Sequence, residues 1–399
     1  MPGALSDADA AINPRKTTHP TEYSAQDTDL TRVGGEIELV KNWKLLGEYS
    51  DRDENSLSYF GYGTPTPANM RVKTISPRVV GSIATTNGNA VVTVGYDKSE
   101  SAYTVVDWFT DIEQVVDGYY GQVVYPITQK ATVTTGVRHS SVDDTNNTSH
   151  TNNSDSLNAA EIGLNYQIDS AWRVFSRYAD GFRFANADEN GFTLPSVSFL
   201  NAQTSKSYEA GVAWEAKAAS VKYSIYQMKI DDEIMYDSAI PNSNSFNGYG
   251  ANINLPNSER QGFMFDGDVQ LSEQFTLRGN YTYTDASLSA GAFDGNKVPF
   301  VAKDAANIGV VFNFVKNVSA TFDANYVGAR YRIGDDANTA SIVDAVTLFN
   351  FNILWDIKDI ELGFRIKNIT AEKYSDYQGL YGQYPQPGRT YNARISYRF

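Results

Sequence analysis

The sequence predicts an all-β protein: a transmembrane antiparallel β-barrel of the outer-membrane type, with about 17 strands. Three observations predict this fold class. Apolar and polar residues alternate with a period of two, the alternating segments are long, and short turns alternate with long polar connections. Lipid offers the backbone no hydrogen-bond partner, so strands that cross a membrane must pair with one another and the sheet must close.

The alternation is clear from residue 318 to residue 326, where Val, Ala, Phe and Tyr occupy the even positions and Ser, Thr, Asp and Asn the odd ones. Many such segments are as long as the roughly 9–11 residues that a membrane-spanning strand needs. No segment of helical length has a 3.6-residue period. The predicted strands start near Asp29, Trp43, Val72, Val91, Thr110, Ala131, Asp155, Ala171, Ser205, Val221, Gly250, Gln274, Lys303, Ser319, Val343, Ile360 and Arg389.

The connections differ in length from one end of the predicted sheet to the other. Short turns are predicted at residues 40–42, 86–89, 126–130, 167–170, 217–220, 272–273, 315–317 and 358–359. Long polar loops are predicted at residues 53–71, 141–154, 186–204, 237–249, 287–302, 334–342 and 374–388, with a shorter connection at 103–109. Tight periplasmic turns and large extracellular loops are typical of outer-membrane barrels.

Aromatic residues support the same fold. Four of the five tryptophans lie near predicted short turns, and we interpret them as part of a periplasmic aromatic girdle rather than as a chance cluster of core aromatics. These are Trp43, Trp172, Trp214 and Trp355. The chain also ends in Phe399 on an alternating strand, an ending typical of barrels inserted into the outer membrane.

Composition excludes several other classes of protein. The 399 residues include no cysteine, so disulfides, thiolate metal sites and cysteine nucleophiles are excluded. The net charge of −14 argues against nucleic acid as a partner, since phosphate binding needs basic surfaces. The 26 Tyr and 20 Phe exclude a disordered chain. No apolar run is long enough for a transmembrane helix.

The domain prediction is a loop segment at residues 1–28 followed by a barrel at residues 29–399. Bacterial single-chain barrels normally have an even number of strands, whereas this count is odd. The first and last predicted strands run in the same direction. We therefore expect N-terminal strands to be missing, with residues 1–28 a remnant of an extracellular loop and Met1 an internal methionine or a mis-assigned start.

Several motifs occur in an order that matches a known family. They are YPQPGR at 384–389 before the terminal strand, KNI at 367–369 followed by Tyr374, YADGFR at 178–183, SYEAG at 207–211, KIDDEI at 229–234, the segment from Asn252 to Gly262, and Val298-Pro299. With them the chain resembles the C-terminal part of TonB-dependent outer-membrane receptors across roughly residues 170–399. Before residue 170 the resemblance depends on the alternation alone.

The resemblance implies a 22-strand barrel around a plug domain, in the outer membrane of a Gram-negative bacterium. The first strand of this chain would be about the sixth, and the plug would be absent from it. TonB would then be a partner only through a plug that this chain lacks, and we expect a lipid-embedded monomer without coupled transport of its own.

Binding residues are predicted in the long loops, where exposed aromatics offer rigid apolar area and arginines attract anions. The predicted ligand-binding residues are Tyr59, Phe60, Tyr62, Arg183, Phe199, Tyr249, Arg332, Tyr381 and Tyr384. Phe246, Phe293, Tyr377, Arg71, Arg330 and Arg389 are further loop aromatics and basic residues of this kind. Loop-on-loop packing, an upper aromatic girdle and pairing with lumen carboxylates are the alternative roles.

Catalytic and metal-binding patterns are absent from the sequence, so we predict no enzyme activity, no cofactor and no metal site. His19, His139 and His150 have no second ligand at zinc spacing. Carboxylate clusters such as Asp143/Asp144 and Asp335/Asp336 could bind calcium but fit solvated loop tips better.

The favoured hypothesis is a receptor for a scarce extracellular nutrient: a small-molecule metal chelate, best a ferric siderophore, with cobalamin or another iron complex as alternatives. A passive diffusion porin is the main rival. A barrel lipase or protease would need a nucleophile–base constellation, and a soluble β-sandwich adhesin would be soluble without detergent.

Overall fold

The computed structural model describes residues 3–17, 19–61, 63–245 and 248–398. Within these ranges the chain forms 22 strands, two short α-helices and one 3₁₀ turn at Val106–Trp108. The helices are α1 (Asp7–Ile12) and α2 (Ala187–Asn190). The strands are β1 (Tyr23–Val40), β2 (Trp43–Tyr59), β3 (Thr66–Ile75), β4 (Arg78–Thr85), β5 (Gly88–Val105), β6 (Thr110–Pro126), β7 (Ala131–Asn146), β8 (Thr151–Gln167), β9 (Trp172–Arg183), β10 (Gln203–Ala216), β11 (Ala219–Asp231), β12 (Ile234–Pro241), β13 (Tyr249–Asn254), β14 (Ser258–Gln270), β15 (Phe275–Leu288), β16 (Asp304–Val315), β17 (Val318–Val327), β18 (Val346–Ile357), β19 (Ile360–Lys367), β20 (Ser375–Gln378), β21 (Gln383–Pro385) and β22 (Thr390–Tyr397).

Eighteen of these strands form one antiparallel sheet in which strands pair in chain order, with the hairpins β12–β13 and β20–β21 left out. Strands β3 and β4 both pair with β2 and with β5, so they share one place in the sheet. The sheet is therefore 17 strands wide, which confirms the predicted count. Its edge strands are β1 and β22, and they run in the same direction; in the described ranges β1 pairs with β2 alone.

The structure corrects four predictions about element boundaries. Strand β1 starts at Tyr23 instead of Asp29, and the predicted loops at 53–71 and 141–154 are largely strand. The strand predicted from Gly250 is present as β13, but it pairs with β12 in a hairpin that stands apart from the sheet, and the wall strand starts at Ser258. Strands that leave the bilayer have water on both faces, so their apolar-polar alternation disappears and the sequence no longer marks them as strands.

All eight predicted short turns lie at one end of the sheet, within the part of the chain that the structure describes. Two of them are two-residue turns with asparagine at a positive φ, 69° at Asn42 and 70° at Asn317. Asparagine tolerates this left-handed conformation better than most other side-chain-bearing residues, which favours a tight turn at these positions. The four tryptophans singled out above lie at this same end of their strands.

The two faces of the sheet differ as the alternation predicts. Apolar side chains such as Ile308, 57% exposed, and Phe322, 46% exposed, cover one face. The other face carries a polar network: Asn325 and Asn350 donate to Asp323, and Gln122 and Arg177 donate to Glu161. This inside-out distribution suits a wall with lipid outside and water inside.

Buried apolar clusters lie at the long-loop end rather than in the centre of the molecule. Ala185, Leu200 and Ile234 form one cluster, and Ala286, Leu288 and Val298 form another. These clusters pack the long loops against the strand residues at the long-loop end of the sheet. Among the described residues, neither helix has the length and apolar composition needed to cross a membrane.

Candidate functional site: an aromatic cavity at the long-loop end

Four aromatic side chains from separate loops follow one another across the long-loop end of the sheet. The ring centroids are 6.0 Å apart from Phe60 to Trp108, 6.1 Å from Trp108 to Phe192, and 6.1 Å from Phe192 to Tyr236. We call Phe60, Trp108, Phe192 and Tyr236 the aromatic row. All three contacts are tilted, a geometry that aromatic pairs favour over direct face-to-face stacking.

The loop at residues 184–202 positions Phe192. Helix α2 lies near the start of this loop, and a capping box closes the N-terminus of the helix: the Asn186 N–H donates to the Glu189 carboxylate at 2.8 Å. Arg183 also donates to that carboxylate, at 2.6 Å. Farther along, the Asn190 side-chain oxygen accepts from the Leu200 N–H at 3.0 Å, which closes the loop on itself. The loop therefore has a defined shape before any ligand arrives.

The β12–β13 hairpin holds this loop from the other side. The Asn252 backbone N–H donates to the Phe192 carbonyl at 2.8 Å, and its side chain donates to the Glu189 carbonyl at 3.0 Å. The buried Asn242 side chain donates to the Gly250 carbonyl at 2.7 Å and the Thr193 carbonyl at 3.2 Å. These bonds keep the hairpin residue Tyr236 next to Phe192.

The aromatic row lines a cavity of about 940 Å³. Its wall also includes Thr148, Val197 and Tyr249, so it receives residues from five connections of the sheet. Pockets for small ligands are usually about 300–1,000 Å³, mostly apolar and furnished with a few polar groups. The cavity has a volume in that range, and aromatic and polar side chains share its wall; we call it the aromatic cavity.

A second group of tyrosines adjoins the row. The rings of Tyr377 and Tyr384 are 5.4 Å apart, and those of Tyr249 and Tyr381 are 6.0 Å apart. Burial, followed by the nearby Tyr377 and Tyr384, raises the pKa of Tyr236, and burial likewise raises the pKa of Tyr384. These phenols are therefore protonated at neutral pH and can donate hydrogen bonds to ligand oxygens.

The predicted aromatic residues separate into three groups. Phe60 and Tyr249 line the aromatic cavity, and Tyr381 and Tyr384 belong to the adjoining tyrosines. Tyr59, in contrast, ends strand β2 and packs on Tyr23 at 5.8 Å, and Phe199 is half-buried and outside the cavity lining. Tyr62, Phe246 and Phe399 lie outside the described residues.

Most of the predicted basic residues are occupied by partners in the chain. Arg332 is buried and donates to the Asp7 carboxylate at 2.7 and 3.2 Å, so it is a structural residue rather than an exposed ligand contact. Arg183 is paired with Glu189, and Arg71 with Asp51 at 2.7 Å. Arg389 donates to the Ile369 carbonyl at 2.7 Å. Arg332, Arg183 and Arg71 thus pair with carboxylates of the chain, the alternative role considered for them, and Arg389 binds a backbone carbonyl.

Three residues of the aromatic row are absent from the predicted set: Trp108, Phe192 and Tyr236. A signal exists for Trp108, the one tryptophan of the five that is not near a short turn. Phe192 and Tyr236 have no such signal, because their proximity depends on how two loops pack together. The described residues include no group of three or more His, Asp or Glu side chains placed to hold a metal ion.

The comparisons with known proteins agree with this architecture. The family described as "TonB dependent receptor-like, beta-barrel" matches residues 2–369. The chain belongs to this family. That assignment confirms the resemblance seen in the motifs, and the sheet matches the barrels of the family.

Solved structures with the same fold include the ferric citrate transporter FecA in its unliganded form. It is 17% identical with a TM-score of 0.78, covering 100% of this chain and 65% of that one. The ferric yersiniabactin uptake receptor FyuA from Yersinia pestis is 15% identical with a TM-score of 0.74, covering 96% of this chain and 63% of that one.

A curated relative is hemoglobin-haptoglobin utilization protein B from Neisseria meningitidis serogroup C, 22% identical over 316 residues. The match covers 60% of this chain and 38% of the relative. The chain thus spans less than two thirds of the length of these relatives.

Proposed function

We propose that the chain forms the wall and outer mouth of an outer-membrane receptor that captures an iron chelate, best a ferric siderophore, for TonB-dependent uptake. The observation that carries the proposal is the aromatic cavity, which five connections build at the long-loop end of a receptor-type barrel. Several proteins of similar fold are named for iron-chelate uptake, including ferric citrate and ferric yersiniabactin. The long-loop end would face the outside of the cell.

The chemistry of the cavity suits capture rather than catalysis. Aromatic rings supply apolar contact for the organic shell of a chelate, and protonated phenols and loop amides supply hydrogen bonds to its oxygens. We propose no reaction and no resident cofactor. Opening a path through the lumen would require a plug domain coupled to TonB, whereas the described residues form wall and loops.

Tryptophan fluorescence tests the proposal, because Trp108 lies in the cavity and Trp355 at the opposite end of the sheet. The full chain in detergent micelles is titrated with ferric catecholate, ferric hydroxamate, ferric citrate and haem. We expect one of them to quench emission saturably. The quenching should be largely lost in Trp108→Phe and kept in Trp355→Phe.

The rival diffusion porin makes the opposite prediction. A porin would pass small solutes without saturable affinity for any chelate of the panel. Absence of saturable quenching, or quenching that Trp108→Phe leaves unchanged, would count against capture in the aromatic cavity.

A further inference from the structure

A second cavity, of about 670 Å³, lies where three segments meet: residues 7–15, the loop at 328–345 and the loop at 368–389. It shares no lining residue with the aromatic cavity, and we call it the cationic cleft. Four cationic side chains line it: Arg15, Arg330, Arg332 and Lys373. Three carboxylates also line it, so the cleft has an excess of one positive charge, whereas the whole chain has a net charge of −14.

Two of the four cations already have partners. Arg332 is held by Asp7, and Lys373 donates to the Ala11 carbonyl at 3.0 Å. Asp344 and Glu372 are the other carboxylates in the lining. Arg15 is exposed and makes no ion pair within the described ranges.

Arg330 stands out because its position is fixed but its hydrogen bonding is incomplete. Its backbone exchanges two hydrogen bonds with Val343, at 3.1 and 2.8 Å, and its guanidinium carbon lies 4.5 Å from the centroid of the Phe300 ring. Its Nη1 atom is nevertheless buried and has no acceptor among the described residues. Asp376 acts on Arg330 electrostatically but forms no ion pair with it in that part of the chain.

A buried donor without an acceptor lowers stability, and a charged donor does so more strongly. Burial also lowers the pKa of Arg330, a second sign that the guanidinium lacks compensation. An arginine that is already stacked on an aromatic ring has its planar guanidinium oriented, and a guanidinium can donate two parallel hydrogen bonds to the oxygens of a carboxylate or phosphate. The Nε and Nη2 atoms of Arg330 also have no acceptor in the described ranges but are not buried, so an anionic oxygen from outside the chain could bind the guanidinium there.

We propose that the cationic cleft is an oxyanion subsite, in which Arg330 binds a carboxylate or phosphate group of a soluble ligand and Arg15 adds a second positive charge. The inference rests on the proposed function, since it assigns the captured chelate an anionic group. It gives the two cavities different roles: the aromatic cavity makes apolar contacts with the ligand, and the cationic cleft binds its charged group.

The test measures anion binding to the full chain in detergent by isothermal titration, with citrate in one arm and inorganic phosphate in the other. The variants are Arg330→Gln, Arg330→Lys and, as a matched control, Arg398→Gln, an exposed arginine at the short-turn end. We expect saturable binding of at least one anion. Arg330→Gln should weaken it about tenfold or more, Arg330→Lys less, and Arg398→Gln not at all.

A folding control accompanies the titration. Heat-modifiable migration on a gel should be the same for all variants, and the bound anion should raise the melting temperature of the native chain but not that of Arg330→Gln. Equal affinity of the native chain and Arg330→Gln, or no saturable binding of either anion, would overturn the inference.

The two proposals can fail separately. Chelate quenching of Trp108 that persists without any anion affinity at Arg330 would reject the oxyanion subsite and leave the receptor proposal standing. Citrate or phosphate binding at Arg330 with no quenching by any chelate would support the subsite and reject the aromatic cavity as the capture site.

Discussion

At the scale of single residues, the aromatic row depends on close packing where the 184–202 loop crosses the start of β6. The Thr110 hydroxyl approaches the Gly191 carbonyl at 3.4 Å. A Cβ atom at Gly191 would lie 2.8 Å from Thr110 Cγ2 and 3.0 Å from Tyr103 Cδ1. Glycine is needed here for space, since its φ of −73° suits any residue. Phe192 follows directly and takes its position from this contact.

We therefore expect Gly191→Val to displace Phe192 and weaken chelate binding. Overpacking of this kind costs about 1–3 kcal/mol, and if displacement of Phe192 from the cavity carries that cost, the affinity falls roughly five- to 150-fold. The measurement is the tryptophan titration described above. Gly35→Val is the control, because nothing lies within 4 Å of its ideal Cβ. An unchanged affinity in Gly191→Val would mean that Phe192 does not contact the ligand.

At the scale of elements, the segment before β1 is attached to the loop before β22. Leu5, only 2% exposed, exchanges two backbone hydrogen bonds with Gln383, each of 2.9 Å. Asp7 in α1 accepts from both Arg332 and Gln383. Because β1 and β22 are the edges of the sheet, this contact links the two edges at the long-loop end and also forms one side of the cationic cleft.

Asp7→Asn tests this attachment. It removes the charge partner of the buried Arg332 guanidinium, so we expect the free energy of local opening to fall by about 1–3 kcal/mol. Because the Asp7 side chain is half-exposed, we expect a value at the low end of this range. Amide hydrogen exchange at Leu5 and Gln383 measures it.

The matched control is Asp9→Asn, two residues along the same helix. Asp9 pairs with Lys16 at the surface, where ion pairs contribute little, and we expect no change in exchange. Similar exchange in both variants would show that the segment is held by its backbone bonds alone.

Elements also show where prediction from sequence reaches its limit. The wall strand β17 and the hairpin strand β13 have the same residue period of two. Alternation shows that a segment is an extended strand, but it does not show which strand that segment pairs with. A strand does start near Gly250, as β13, but the prediction that it belongs to the wall was wrong for this reason. The two-residue turn at Asn317 could be predicted, since its residue type and spacing carry the required conformation in the local sequence.

At the scale of the whole molecule, the two faces of the wall predict opposite responses to charge. Phe322 and Thr321 are neighbours near the middle of β17 and point to opposite faces. A lysine on the lipid face near the bilayer midplane costs about 2–4 kcal/mol, whereas the lumen face tolerates it.

We expect Phe322→Lys to lower the free energy of unfolding in lipid bilayers by this amount and Thr321→Lys to lower it much less. Urea titration of vesicle-inserted protein, read by gel mobility, measures the difference. Equal losses at the two positions, or a greater loss for Thr321→Lys, would contradict the assignment of the faces.

The sequence by itself determined the wall: the strand count, the eight short turns and the face that meets lipid. Each of these depends on residues that are neighbours in the chain, and period and turn chemistry are local properties. Only the tertiary structure decided the site. Phe192 meets Tyr236, and Asp7 occupies Arg332 while Arg330 keeps an unpaired N–H, because loops distant in sequence pack together above the wall. Contacts of that kind depend on the packing of whole loops, which residue period and turn type do not specify.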